Sequence, residues 1–454
     1  MNYDAIILGA GQAGPSLGSR LTGAGMKVAL VERKFLGGTC VNTGCMPTKA
    51  LVSSAYAAHL ARRTDLGVVA SDVRVDFPKV MARARGVTEN ARAGLDKWLH
   101  GMEGMTLVQG QARFEGPQKI RVGDDVLTAP RIFINVGGRA RVPDMPGVKE
   151  VAFLTNTSIL ALERLPKHLV VVGGSYVGLE FAQMHRRFGA EVTVVEMGSR
   201  LVSREDEDVS DAVREILEAE GIHVRTHAEC IGLAPHAEGV AVTLECKEGP
   251  PAAVGSDVLL AVGRVPNTDD LGLDRAGVTT DRHGYVVVDD ALATNVPGIW
   301  AMGDCNGRGA FTHTSYNDYE IMAANLLDGA NRKLSQRIPG YALYIDPPLG
   351  RVGMTEAEAK KSGRKLLIGR RPMTRVNRAV EKGETAGFMK IVVDAESRKI
   401  LGASILGTGG DEAIHGILDM MNAGIAYDVL RWAVPIHPTV SELFPTVLQD
   451  LRAD

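Results

Sequence analysis

One arrangement of residues occurs twice in this chain. Residues 3–8, YDAIIL, are a short apolar run that favours a strand. The turn Gly9-Ala10-Gly11-Gln12-Ala13-Gly14 follows, then a helix-like stretch to Gly25, then KVALVE ending at Glu32. From His168 the order repeats: HLVVV, the turn Gly173-Gly174-Ser175-Tyr176-Val177-Gly178, a helix-like stretch, and VTVVE ending at Glu196. The first glycine and the acid are 23 positions apart in both. Strand, glycine turn, helix and strand in this order specify a βαβ unit of a parallel sheet. The glycines allow a tight turn, close approach of a pyrophosphate and close helix packing. Phosphates would lie on free N–H groups at the helix N-terminus, and the acid can hold a ribose diol.

In the second turn Ser175 stands where the middle glycine would be, and its small side chain still admits a phosphate. Two such units imply two dinucleotides, or a duplication with one unit idle. An ionised Glu196 repels a 2′-phosphate, which favours NAD over NADP. Arg200 and Arg204 pull the other way.

A length of 454 residues suits about three domains. The net charge of -3 provides no global field for nucleic acid or membrane. No run approaches the ~18 apolar residues of a membrane span. The N-terminal MNYDAIILGAG carries Asp4 and no basic stretch, unlike a signal peptide. Five cysteines form no disulfide scaffold and suit a reducing compartment, so a soluble cytoplasmic protein is expected.

Two of those cysteines, Cys40 and Cys45, lie in GGTCVNTGCMPTKA. Cys230, Cys246 and Cys305 are scattered and supply no second closely spaced pair, so no metal site is expected. Over five residues a regular helix rises ~7.5 Å, beyond the ~6.8 Å that a disulfide tolerates between Cα atoms. A bonded pair therefore needs a broken helix, and Gly44 and Pro47 can break it. The residues that follow, TKALVSSAYAAHLARR, read as helix and put Cys45 near its start, where the helix dipole lowers a thiol pKa. From spacing alone, a redox pair and two reduced buried thiols both stay open.

The segment GGTCVNTGCMPTKAL, set between a flavin-type glycine turn and a second nucleotide unit, closely resembles the active-site segment of the class I pyridine nucleotide–disulfide oxidoreductases. That family includes dihydrolipoamide dehydrogenase, glutathione reductase and mercuric reductase. GGSYVGLEFA resembles its NAD(P) motif, VGRVPN the segment closing the NAD(P) domain, IWAMGDC its second flavin motif and IHPTVSE its C-terminal motif. Together they cover nearly the whole chain in family order.

The resemblance implies an α/β protein with two Rossmann-like dinucleotide-binding domains and a C-terminal α+β dimerisation domain. The implied boundaries are residues 1–149 and 269–335 for FAD, 150–268 for NAD(P) and 336–454 for dimerisation. Gly9, Gly11, Gly14, Glu32, Thr39, Lys49 and Asp304 would bind FAD, with Asp304 on the ribitol. Gly173, Tyr176, Gly178, Glu196 and Gly263 would bind the nicotinamide dinucleotide, with Tyr176 covering its pocket until the dinucleotide enters. Cys40 and Cys45 would form the redox disulfide, with Cys45 against the flavin and Cys40 meeting the substrate. Lys49 would lie near flavin N5 and pair with Glu180. His437, held by Glu442, would be the acid–base group at the Cys40 thiol of the partner subunit in a homodimer.

The substrate class implied is a small thiol or disulfide, a protein-bound lipoyl group included, and Glu196 favours the dihydrolipoamide dehydrogenase type. A mercuric reductase-like or glutathione reductase-like enzyme is the alternative. The chain ends VLQDLRAD without the cysteine pair that mercuric reductases carry there. A low-turnover redox sensor is a further class, and the complete catalytic set argues against it.

Overall fold

The structure is a computed structural model that describes residues 1–245 and 250–453; Cys246 lies outside the described residues. The chain divides into two compact units. One holds residues 1–50, 81–141 and 263–337; the other holds 51–80, 142–262 and 338–454.

The first unit is built on a five-stranded sheet in the order Ile299–Ala301, Ile132–Ile134, Ala5–Leu8, Val28–Glu32, Met105–Gln109, parallel throughout. Its strands are apolar almost continuously because both faces are covered. Ile6, Leu8, Ala29, Val31, Ile132 and Ile134 face one core with Phe114, Ile120 and Leu127 of a small antiparallel sheet. Ala5, Ile7, Val28, Leu30 and Phe133 face the other, with Leu17 and Leu21 of the helix Ala13–Gly23 and Ile321 and Met322 of the helix Thr312–Leu327. Each fully buried aliphatic or aromatic side chain contributes ~1.5–3 kcal/mol.

The second unit holds a four-stranded parallel sheet in the order His223–Arg225, Glu191–Val195, His168–Val172, Asp257–Leu260. One face packs on the antiparallel sheet of Glu229–His236, Gly239–Glu245 and Ala252–Gly255. The C-terminal part is a six-stranded antiparallel sheet. Its central hairpin pairs Phe388–Asp394 with Ile400–Leu406, the apolar runs FMKIVVD and ILGASIL. The amphipathic stretch DEAIHGILDMMNAG is the helix Gly410–Ala423, ended by Gly424 at φ 65°. Ile414 and Ile417 of that helix face Ile391, Ala403 and Ile405 of the hairpin.

Candidate active site

Both glycine turns form the structure their spacing predicts. Gly9 has φ 105° and Gly173 φ 115°, a region disfavoured for a residue with a Cβ. A Cβ on Gly9 would stand 2.3 Å from the Asn135 carbonyl oxygen, and one on Gly173 2.5 Å from that of Ala261. Gly14 and Gly178 bring each helix onto its own turn: a Cβ there would lie 2.4 Å from the Gly9 oxygen and 2.1 Å from the Gly173 oxygen. Gly11 has ordinary space around it.

The two acids close the turns in the same way. Glu32 Oε2 accepts the Ala10 N–H at 2.9 Å and Oε1 that of Lys34 at 2.8 Å. Glu196 Oε2 accepts the Gly174 N–H at 2.6 Å and Oε1 that of Gly198 at 2.7 Å. Nearby, Arg200 is half-buried and Arg204 exposed. Asn135 is a brace the sequence reading missed. Its Nδ2 donates to the carbonyls of Gly9 and Gly11 at 3.0 and 3.3 Å. Its signal was an amide directly after the apolar run IFI.

The cysteine segment lies against the first turn. A Cβ on Gly38 would come within 2.7 Å of Gly11 Cα, and the Gly37 N–H donates to the Ala10 carbonyl at 2.9 Å. Gly38–Thr43 forms a short helix, the chain breaks at Gly44, and a new helix, Cys45–Arg62, begins at Cys45 itself. Gly44 makes this break: a Cβ there would lie 2.8 Å from the Thr39 oxygen. Pro47 does not break the helix as expected. It falls in the first turn, where its missing N–H would have had no intrahelical partner. Asn42 fastens the segment, donating to the carbonyls of Leu36 and Gly38 at 2.9 Å and accepting from Arg92 at 2.7 Å.

Cys40 and Cys45 are both free thiols. The two side chains share a hydrogen bond, which holds Cys45 down at about 6 and pushes Cys40 up. Burial opposes the lowering at Cys45, while the Thr312 hydroxyl, 3.2 Å from its sulfur, and the Lys49 charge favour the thiolate. Thr312 opens the helix Thr312–Leu327, whose cap is Phe311: the Thr314 hydroxyl accepts the Phe311 N–H at 3.1 Å. Thr39 is half-buried.

Asp304 sits in the turn Gly303–Asn306 with Arg264 3.7 Å away. Burial raises its pKa and the Arg264 charge opposes this. Gly263, at φ 107°, has open space where a side chain would be. These residues fit an FAD: a positive-φ turn at a helix N-terminus, an acid at the strand end and a desolvated carboxylate able to accept a hydroxyl.

In the second unit Tyr176 opens the helix Tyr176–Phe188, and its hydroxyl donates to Glu205 at 3.3 Å. Glu180 is buried on the same helix and accepts the Tyr344 N–H at 3.0 Å. Lys49 belongs to the first unit and Glu180 to the second. His437 is two-thirds exposed, and its Nδ1 lies 2.8 Å from Glu442 Oε2, as expected.

Residues 3–318 match the pyridine nucleotide-disulphide oxidoreductase family, and residues 339–448 match that family's dimerisation domain. The chain belongs to this family. A probable pyridine nucleotide-disulfide oxidoreductase, RclA of Escherichia coli (strain K12), is 35% identical, with 97% of each chain covered. A solved structure titled HOCl-induced flavoprotein disulfide reductase RclA superposes with a TM-score of 0.90 at 34% identity, covering 98% of this chain and 99% of the other. A mercuric reductase of Streptomyces lividans is 32% identical over 100% of this chain and 97% of its own. A dihydrolipoyl dehydrogenase of Bacillus subtilis (strain 168) is 32% identical over 97% and 94%. The protein is thus a flavoprotein disulfide oxidoreductase, of a family that implies FAD and a pyridine nucleotide. Among the described residues no helix is long and apolar enough to cross a membrane, and no group of three or more His, Cys, Asp and Glu is placed to hold a metal ion.

Proposed function

We propose that this family member is an NADH-linked oxidoreductase of a small dithiol or disulfide, of the dihydrolipoamide dehydrogenase type, working in the cytoplasm as a homodimer. The observation that carries the reading is the Cys40–Cys45 pair at a helix start, with one thiol depressed and its partner raised. That asymmetry suits thiol–disulfide exchange, in which one sulfur attacks while the other waits as thiolate.

Gly9, Gly11, Gly14, Glu32, Thr39, Lys49 and Asp304 are the residues that would hold FAD. When bound, FAD supplies a two-electron carrier between a dihydronicotinamide and the cysteine pair. Oxidation of the pair forms one S–S bond and releases two electrons and two protons; reduction reverses it. Cys40 is the sulfur that exchanges with substrate. His437 of the partner subunit takes and returns the proton of that exchange. Glu442, hydrogen-bonded to Nδ1, fixes the tautomer so that Nε2 faces the sulfur. Exposed Trp432, Val434 and Ile436 lead into this histidine and suit a face covered by a second copy.

Gly173, Gly178 and Gly263 would receive the dinucleotide. The Glu196 carboxylate, already holding two backbone N–H groups, leaves its charge facing any 2′-phosphate, which supports NADH over NADPH.

A metal-ion reductase is the second reading. The mercuric reductase relative and a solved RclA structure titled as a Cu(II) complex favour it. Steady-state turnover with lipoamide, glutathione disulfide and Hg(II), each with NADH and NADPH, separates the two. The first reading expects lipoamide with NADH to lead; it fails if Hg(II) alone supports turnover.

A further inference from the structure

Phe35 lies between the first glycine unit and the cysteine segment and is 55% exposed, yet its ring is in use. The Arg92 guanidinium carbon stands 4.1 Å from the ring centre, a cation–π stack. Arg92 is half-buried on the helix Phe77–His100. The edge of the same guanidinium is in use as well: Nε and Nη2 both donate to Asn42 Oδ1, at 3.1 and 2.7 Å. Asn42 lies between Cys40 and Cys45, on the short helix Gly38–Thr43. Its Nδ2 donates to the carbonyls of Leu36 and Gly38, both at 2.9 Å. The amide is thus held at both ends. One end grips the chain where the helix begins, and the other is gripped by Arg92 from 50 residues away.

The two partners of Arg92 here, a ring and an amide oxygen, are neutral, so neutralising a carboxylate does not explain it. An arginine suits both contacts at once, because its planar fork stacks with its face and donates with its edge; a lysine ammonium cannot do both. What depends on this clamp is the helix that carries Cys40. Cys45 starts a separate helix beyond Gly44. The two sulfurs therefore ride on different helices, and the hydrogen bond between them is only as fixed as those helices are. Cys45 owes its lowered pKa first to Cys40, then to Thr312 and Lys49. Arg92 bonds to Asn42 and to neither sulfur.

We propose that Arg92 is a positioning residue of the cysteine pair: stacked on Phe35 and bonded to Asn42, it holds the Gly38–Thr43 helix so that the Cys40 sulfur stays against Cys45. The inference rests on the reading of Cys40 and Cys45 as the redox pair.

The test uses the full-length, flavin-containing protein with Arg92→Met, Arg92→Lys, Phe35→Leu, Asn42→Ala and the Arg92→Met/Asn42→Ala double variant. Each is reduced, and alkylation of Cys45 by iodoacetamide is followed against pH by mass spectrometry. Flavin absorbance and Tm report on the fold. Arg92→Met is expected to raise the labelling midpoint by about one pH unit, the worth of one ordinary hydrogen bond, with the flavin retained. Arg92→Lys should raise it nearly as much, because the charge survives and the fork does not. Phe35→Leu should act in the same direction and less. The double variant should match Asn42→Ala alone, because Arg92 reaches the helix through Asn42. A lowered Tm with an unmoved midpoint in Arg92→Met overturns the clamp and leaves a structural contact only. A midpoint kept by Arg92→Lys overturns it too, since charge would then suffice, and so does additivity in the double variant. If Arg92→Met does not fold, Arg92→Lys and Phe35→Leu decide. The redox reading is checked separately in the unmodified protein with oxidised glutathione. Glutathione disulfide takes up two electrons and two protons as it splits into two thiols, and the cysteine pair loses them as its S–S bond forms. If no Cys40–Cys45 disulfide forms at any ratio of oxidised to reduced glutathione, that reading falls and the clamp with it. If it forms and the Arg92 variants keep the midpoint, the clamp alone falls.

Discussion

The two glycine turns share a backbone and differ in what surrounds them. In each, the first glycine N–H donates at 2.8 Å to the strand that ends in the acid: Gly9 to Val31, Gly173 to Val195. In each, the acid grips the next N–H. Around the first turn the additions are fixed: Asn135 ties two of its carbonyls, and Gly38 lays the cysteine segment on it. Around the second, Tyr176 follows the turn, its hydroxyl donating to the buried Glu205 at 3.3 Å. On the proposed reading, the braced turn is the one that holds the resident flavin, and the other receives a dinucleotide that comes and goes.

The largest expected effect comes from breaking each turn separately. Gly9→Ala puts a Cβ into the Asn135 carbonyl at a φ that disfavours it, so the purified protein should lose at least ~90% of its flavin absorbance. Gly173→Ala should leave the protein yellow and weaken NAD⁺ binding ~10-fold or more. If the flavin leaves with Gly173→Ala and stays with Gly9→Ala, the two turns are assigned the wrong way round.

Next come the groups that exchange with substrate. His437→Gln should slow disulfide turnover ~10²–10⁴-fold while NADH still bleaches the flavin quickly. Mixing Cys40→Ser and His437→Gln chains should restore activity in heterodimers. No recovery in verified heterodimers would place the histidine's action within its own chain, or outside catalysis.

A smaller effect is expected at the second acid. Glu196→Ser removes the charge facing a 2′-phosphate and should shift the kcat/KM ratio of NADPH to NADH upward ~10-fold. A ratio already above one in the unmodified protein would mean that Arg200 and Arg204 dominate.

The smallest effect is on acidity. Cys45 is lowered, so its thiolate forms as pH rises through about 6 and is lost below it. Iodoacetamide labelling of Cys45 should reach half its maximal rate near that pH, against ~8.5 for a free thiol, while Cys40 lags far behind. Thr312→Val and Lys49→Met should each move the midpoint upward, and a midpoint that stays put would remove that partner from the account.

What was legible in the sequence was local. A strand, a turn, a helix and an acid at a fixed step can be read because every part lies between Tyr3 and Glu32, and again between His168 and Glu196. Cys45 at a helix start was readable for the same reason, as was the His437–Glu442 bond across five positions. The misreading of Pro47 was local too: Gly44 had already ended the preceding helix, so the proline met a first turn and not an interior.

The sequence alone determined two glycine turns, a cysteine pair on either side of a helix break and a C-terminal His437–Glu442 contact, because hydrophobic period, glycine placement and short spacings act through neighbouring residues. Tertiary structure alone decided the partners. Asn135 reaches the first turn from 126 residues away, Thr312 reaches Cys45 from 267 and Tyr341 reaches Glu205 from 136. A run such as REDED gives no sign of which of its acids a distant sheet will cover. Burial sets whether such a charge is merely solvated or must be held, and burial is fixed only when strands far apart in the chain are laid side by side.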